Sequence, residues 1–105
     1  MKVLINAGYG RFSPAGPLKE WGERYGAKDC WGEDVEWESG LEAIANRTNP
    51  NAVRIVEEFG SKAVSDPSNH IVIVEIPDSA TDWRITEYYG SESIIYVTDG
   101  ETYWA

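Results

Sequence analysis

The stretch Asn6-Ala-Gly-Tyr-Gly-Arg-Phe-Ser-Pro-Ala-Gly16 gathers the residues best suited to bind something. Gly8, Gly10 and Gly16 allow backbone dihedrals closed to other residues, so that N–H groups can turn toward a bound group. Arg11 carries a guanidinium that can clamp a phosphate in two parallel hydrogen bonds, and Tyr9 and Phe12 offer rings on which a base or sugar can stack. Ser13-Pro14 reads as a helix start, with Ser as N-cap and Pro at the first helical position. A helix N-terminus presents unpaired N–H groups and partial positive charge to an anion. The chemistry implied is capture of a small nucleotide-type ligand by Tyr9, Gly10, Arg11, Phe12 and Ser13, joined by Arg84 and Tyr88 from the aromatic C-terminal third. The spacing is neither a P-loop, since no G-K-[ST] follows, nor the full G-x-G-x-x-G of a dinucleotide fold. The same residues also describe a plain turn whose glycines satisfy its dihedrals and whose rings fill the core. Sequence alone leaves both readings standing.

Other reactive groups are sparse. Asp29, Glu33, Asp34, Glu36 and Glu38 form an acidic run suited to a divalent cation, to imitation of a DNA phosphate track, or simply to solvation. Gly32 does not occupy the bend position of a calcium loop. His70 is the only histidine and Cys30 the only cysteine, which excludes a His-rich metal centre, an internal disulfide and a thiol ligand cluster. Asp78 and Asp82 flank a turn after Pro77, where aspartate side chains cap backbone groups. No catalytic residue, metal ligand or cofactor is assigned, and a metal-dependent hydrolase has no motif behind it.

Charge narrows the partners. The chain of 105 residues carries a net charge of −9, divided into +3 over residues 1–28 and −12 over residues 29–105. Long-range repulsion then opposes direct binding to a nucleic-acid backbone, while a small anion near the N-terminal end, or a basic protein surface, stays accessible. No stretch approaches the roughly 20 apolar residues of a membrane span, and the N-terminus fits neither a signal nor a transit sequence. The expectation is one cytoplasmic domain spanning residues 1–105, with hydrophobic residues at 42% and five Trp, six Tyr and two Phe spread along it.

The elements that must position these groups follow from periodicity. Lys2–Asn6 reads as a strand. Leu18, Trp21 and Tyr25 mark one face of a helix ending at Gly26, and Glu33–Glu38 alternates like an edge strand with Val35 and Trp37 inward. Asn49-Pro50 opens a second helix with Ala52, Val53, Val56 and Phe59 on its apolar stripe, closed by Gly60. Ile71–Ile76 is a β-branched strand. Trp83–Tyr89 and Ile94–Thr98 form a hairpin through Gly90-Ser91, and Asp99-Gly100 returns a short last strand. The predicted architecture is α+β: a mixed sheet of about five strands, two helices and a C-terminal antiparallel meander. The many rings on that meander predict exposed aromatic surface and a homo-oligomer.

Arg47-Thr-Asn-Pro-Asn-Ala-Val-Arg-Ile-Val-Glu-Glu-Phe-Gly60, Ile73-Val-Glu-Ile-Pro-Asp78 and Trp83-Arg-Ile-Thr-Glu-Tyr-Tyr-Gly-Ser-Glu92 resemble the motifs of a family of small bacteriophage proteins without an established activity. Ile5-Asn6 and Tyr9-Gly10-Arg11-Phe12 are similar to that family's Y-G-G-F opening, with Arg11 in place of its second glycine. The resemblance implies a phage or prophage origin, action inside the bacterial host cell and an accessory role such as counter-defence; it supplies no catalytic residue. Two readings follow: a non-enzymatic protein that sequesters a nucleotide-derived ligand at the glycine loop, or an acidic interaction inhibitor, a nucleic-acid mimic, that occupies a host defence protein.

Overall fold

Lys2–Asn6 forms β1 and Ile71–Glu75 forms β2, paired antiparallel with Val3 opposite Val74, Leu4 opposite Ile73 and Ile5 opposite Val72 in the computed structural model, which describes all residues from Met1 to Ala105. Side chains alternate across a strand, so Leu4, Ile71 and Ile73 face one way and Val3, Ile5, Val72 and Val74 the other. Both faces are covered. This is why the two segments read as uninterrupted apolar runs.

Helices cover the first face. They are α1 (Gly16–Tyr25), α2 (Gly40–Thr48), α3 (Pro50–Phe59) and the single turn α4 (Ser61–Val64). Asn49 caps α3 by accepting the Asn51 N–H at 2.9 Å, Pro50 fills its first turn, and Gly60 ends it at φ 85°. Leu4 and Ile71 meet Leu18, Trp21, Val53, Val56 and Phe12 in a core where Phe12 stacks on Trp37 at 5.2 Å between ring centroids.

A meander covers the second face. It comprises β3 (Asp82–Tyr88), β4 (Ser91–Thr98) and β5 (Glu101–Trp104), and sets Trp83, Ile85, Ile94 and Tyr96 against Val3 and Ile5. Its turns, Tyr89-Gly90 (φ 52° and 84°) and Asp99-Gly100 (φ 53° and 78°), place both central residues at positive φ, the arrangement that matches strand twist in two-residue hairpins. The molecule is thus three layers: helices, a two-stranded sheet and a three-stranded sheet.

The α+β class, the five strands and the C-terminal meander agree with the sequence reading. The strands, however, divide between two antiparallel sheets instead of one mixed sheet, and the helices number four instead of two. Glu33–Glu38 turns Trp37 inward as its alternation predicts, but it joins no sheet. Its backbone pairs with the neighbouring loop and with a helix side chain: the Glu36 N–H donates to the Ala27 carbonyl at 2.9 Å, and its carbonyl accepts from Asn46 Nδ2 at 2.6 Å. Ser13-Pro14 does not start α1, since Pro14 bridges to Ser65 and the helix begins two residues later with Pro17 in its first turn. Tyr25 and Phe59 lie exposed at the ends of their helices, outside the buried stripes. The hairpin turn is Tyr89-Gly90, one residue earlier than expected. No helix is long and apolar enough to cross a membrane.

Candidate functional site

The glycine loop is wound around one side chain. Asn6, fully buried at the end of β1, donates through Nδ2 to the carbonyls of Tyr9 (3.3 Å), Gly10 (3.4 Å) and Gly90 (3.0 Å). Its Oδ1 accepts the N–H groups of Gly8 (3.0 Å) and His70 (2.9 Å). A side-chain amide can satisfy turn backbone in this way only if the chain comes close. Gly8 has no room for a Cβ beside the Asn69–His70 backbone, and Gly10 sits at φ 77° against the hairpin tip. The loop and the β3–β4 turn are therefore one packed unit.

Beneath this unit lies a buried ion pair. Arg47, on α2, is 1% exposed and Glu92, on β4, has a side chain 8% exposed. The guanidinium donates to both carboxylate oxygens of Glu92 at 2.6 and 2.8 Å and to the carbonyls of Trp37 and Leu4, and lies 4.0 Å above the centre of the Phe12 ring. Glu92 Oε1 also accepts the Asn6 N–H at 2.8 Å. Every buried side-chain nitrogen and oxygen in this layer has a hydrogen-bond partner.

Above it opens a cleft of about 620 Å³, walled by Gly10, Arg11 and Phe12 on one side, by Glu87, Tyr89 and Gly90 on the other and by Glu38 and Ser39 at one end. Arg11 is 83% exposed along its side chain and is held by Glu38 in a two-pronged pair, Nε at 2.9 Å and Nη2 at 2.7 Å. That carboxylate raises the pKa of the guanidinium above its ordinary value through the hydrogen bond and the charge. Glu87 accepts the Gly90 N–H while also facing the cleft. The lining therefore sets one cation, already paired, against the carboxylates of Glu38 and Glu87, with Glu92 neutralised by Arg47 at the base. An aromatic ring, Tyr89, stands beside them, 76% exposed.

The structure brings Gly10, Arg11 and Phe12 of the sequence candidates to this cleft, with Tyr9 exposed on the adjoining loop. Phe12 belongs to the core wall, stacked between Trp37 and Arg47. Ser13 lies on the other side of Phe12, in a second cleft of about 500 Å³, where its hydroxyl donates to Asp66 Oδ2 at 2.7 Å near the start of α1. The glycine loop and the helix N-terminus thus serve different clefts. Tyr88 packs edge-on against Tyr89, ring centres 4.6 Å apart, and Arg84 lies on the outer face of the meander opposite Ile95. Sequence reasoning gave no role to Asn6, Arg47 or Glu92, counted Tyr89 only among the rings of the meander, and placed Glu38 in the acidic run without linking it to Arg11. One signal was present: a carboxamide at the end of an apolar strand, immediately before a glycine loop, is where a buried turn-satisfying Asn belongs.

The acidic run is used locally. Asp29 Oδ1 accepts the N–H groups of Trp31 and Glu33, and Glu36 Oε1 accepts those of Glu38 and Ser39, which leaves Glu33, Asp34 and Glu38 exposed. Compared with protein-family models, with curated proteins and with solved structures, the chain has no match.

Proposed function

We propose that the protein is a non-enzymatic accessory protein that binds a basic segment of a partner protein, with the cleft between the glycine loop and the β3–β4 hairpin as its contact point. The observation that carries this reading is the Arg11–Glu38 pair. It cancels the only exposed cation of the cleft and leaves Glu87 and the Tyr89 ring facing the opening. A Lys or Arg side chain entering there gains carboxylate contacts and an aromatic face. The charge of −12 over residues 29–105 would speed its approach at low salt. The likeness to small phage proteins supports a host defence protein as the partner, met in the bacterial cytoplasm.

The nucleotide reading keeps one supporting feature, the exposed ring of Tyr89 in the same cleft as Arg11, with Tyr88 packed edge-on against it. A phosphate in this cleft must draw Arg11 away from Glu38 and then lie beside Glu87, at an electrostatic cost that a basic group does not meet.

The two readings predict opposite responses to one substitution. Titration calorimetry with an oligo-arginine peptide at low salt is expected to show Arg11→Ala binding tighter than the parent, by roughly two- to fivefold, because Glu38 is released and a positive charge removed. Glu87→Gln should bind more weakly by a similar factor. The reading fails if the peptide does not bind, or if Arg11→Ala weakens it. A cyclic or ADP-ribose-type nucleotide that binds the parent and not Arg11→Ala would establish the anion site instead.

A further inference from the structure

We propose that the outer face of the β3–β4–β5 meander docks onto the same face of a second copy of this chain, across a two-fold axis parallel to the strands. The register sets Arg84, Ile95 and Trp104 side by side in one row across the sheet, and Asp82, Val97 and Thr102 in the next. These positions alternate with the Trp83, Ile85, Ile94 and Tyr96 that pack inward, so they point away from the two-stranded sheet, with Asp82, Arg84, Thr102 and Trp104 exposed and Ile95 and Val97 half-buried between them. Trp104 is 68% exposed.

Charge selects the occupant. A molecule of net charge −9 repels its own copies over most approaches, yet these two rows carry one positive and one negative group, and their remaining residues are neutral. Rotation about an axis parallel to the strands and above β4 lays β4 on β4 and exchanges β3 with β5. Arg84 and Trp104 occupy opposite ends of the same row, so each Arg84 then lies over the partner's Trp104, and Ile95 meets its own counterpart on the axis. The contact is isologous: each copy supplies both the cation and the ring. Aligned face-to-face packing of this kind is the common sheet-on-sheet geometry.

Area sets the strength. Three strands about 4.8 Å apart and eight residues of about 3.3 Å rise make a patch of roughly 15 by 25 Å per copy. A pair of such patches, roughly 750 Å² together, lies below the standard size of specific interfaces, so the dimer is weak and transient, with a dissociation constant no tighter than the order of 10 μM.

Sedimentation equilibrium of the full chain over a range of concentrations spanning that value tests it. A monomer–dimer equilibrium that tightens as salt rises is expected, since added ions screen the like net charges while the contact itself is nearly neutral. Ile95→Lys should remove dimerisation, and Arg84→Ala and Trp104→Ala should each raise the dissociation constant by about three- to tenfold. Arg84→Glu, at an exposed position, repeats the Ile95→Lys test without risk to the fold, and circular dichroism verifies each variant. A monomer at every concentration overturns the proposal, as does a dimer indifferent to both Ile95→Lys and Arg84→Glu. Dissociation by Asp82→Ala alone overturns the axis, because it places Arg84 against the partner's Asp82 with the strands reversed.

Discussion

Arg47→Met is expected to cost about 3–5 kcal/mol of folding free energy, the range for removing one partner of a buried ion pair, and to lower the Tm by roughly 15–30 °C for a domain of this size. The loss does not come from the attraction alone. The guanidinium satisfies the carbonyls of Trp37 and Leu4 as well as both oxygens of Glu92, and its flat face lies on Phe12. Without it a carboxylate whose side chain is 8% exposed keeps only the Asn6 N–H, and two buried carbonyls lose their donors. Glu92→Leu leaves the complementary orphan, a buried cation with two carbonyls. The double variant Arg47→Met/Glu92→Leu removes both charges and is expected to cost clearly less than the sum of the singles, because neither ion is left uncompensated. Urea unfolding of the four proteins measures the cycle. Additive costs would mean that the two charges do not depend on each other, contrary to the geometry.

The same pair explains where the sequence was legible and where it was not. β1, α3, β2 and the meander announce themselves because each buries an apolar face, and a face repeats with the period of its element. α2 buries Ala43, Asn46 and Arg47. A helix whose inward side is an amide and a guanidinium has no apolar stripe, so Gly40–Thr48 carried no periodic signal. Its partners are also remote in the chain. Asn46 reaches back to the Ala27 and Glu36 carbonyls, and Arg47 reaches forward to Glu92. Glu33–Glu38 shows the opposite failure. Its alternation correctly places Val35 and Trp37 inward, yet alternation specifies only which side chains are buried, whereas membership of a sheet depends on where the N–H and C=O groups go. Those groups were taken by Asn46 and the 27–29 loop, partners that no local pattern contains.

At the candidate site the loop was legible as a place of close backbone approach, and Arg11 as its charged group. That Glu38 would occupy Arg11 was not, since the pair spans 27 residues joined by irregular chain and a helix. The charge balance of a cleft is a tertiary property. The positive bias of residues 1–28 reports on the chain and not on the surface, because α1 and the glycine loop face the acidic 29–38 segment once folded. A further layer of the same effect is visible in Ser13, whose hydroxyl meets Asp66 instead of capping a helix.

Two glycines in equivalent turns separate close approach from backbone conformation. Gly90 and Gly100 both occupy the second position of a two-residue hairpin turn, at φ 84° and 78°. Alanine at either must adopt a left-handed conformation, at a cost of about 1–2 kcal/mol. Around Gly100 there is open space, so Gly100→Ala should lose only that much, a fall of roughly 5–10 °C in Tm. A Cβ on Gly90 would lie inside the Gly10 carbonyl, and backbone on the opposite side cannot yield as a side-chain tip would. Gly90→Ala must therefore push the hairpin tip off the glycine loop, breaking the Asn6 bond to the Gly90 carbonyl and straining the Asn6–Glu92–Arg47 layer beneath it. Its expected loss exceeds about 4 kcal/mol, the range of substitutions that disrupt a buried network. Thermal unfolding of the two variants side by side checks the difference. Any Gly90→Ala protein that remains folded should lose oligo-arginine binding while Gly100→Ala retains it, because only the first turn forms a wall of the cleft. Equal losses of stability would show that the turn conformation alone decides both positions, and that the contact between loop and hairpin is soft.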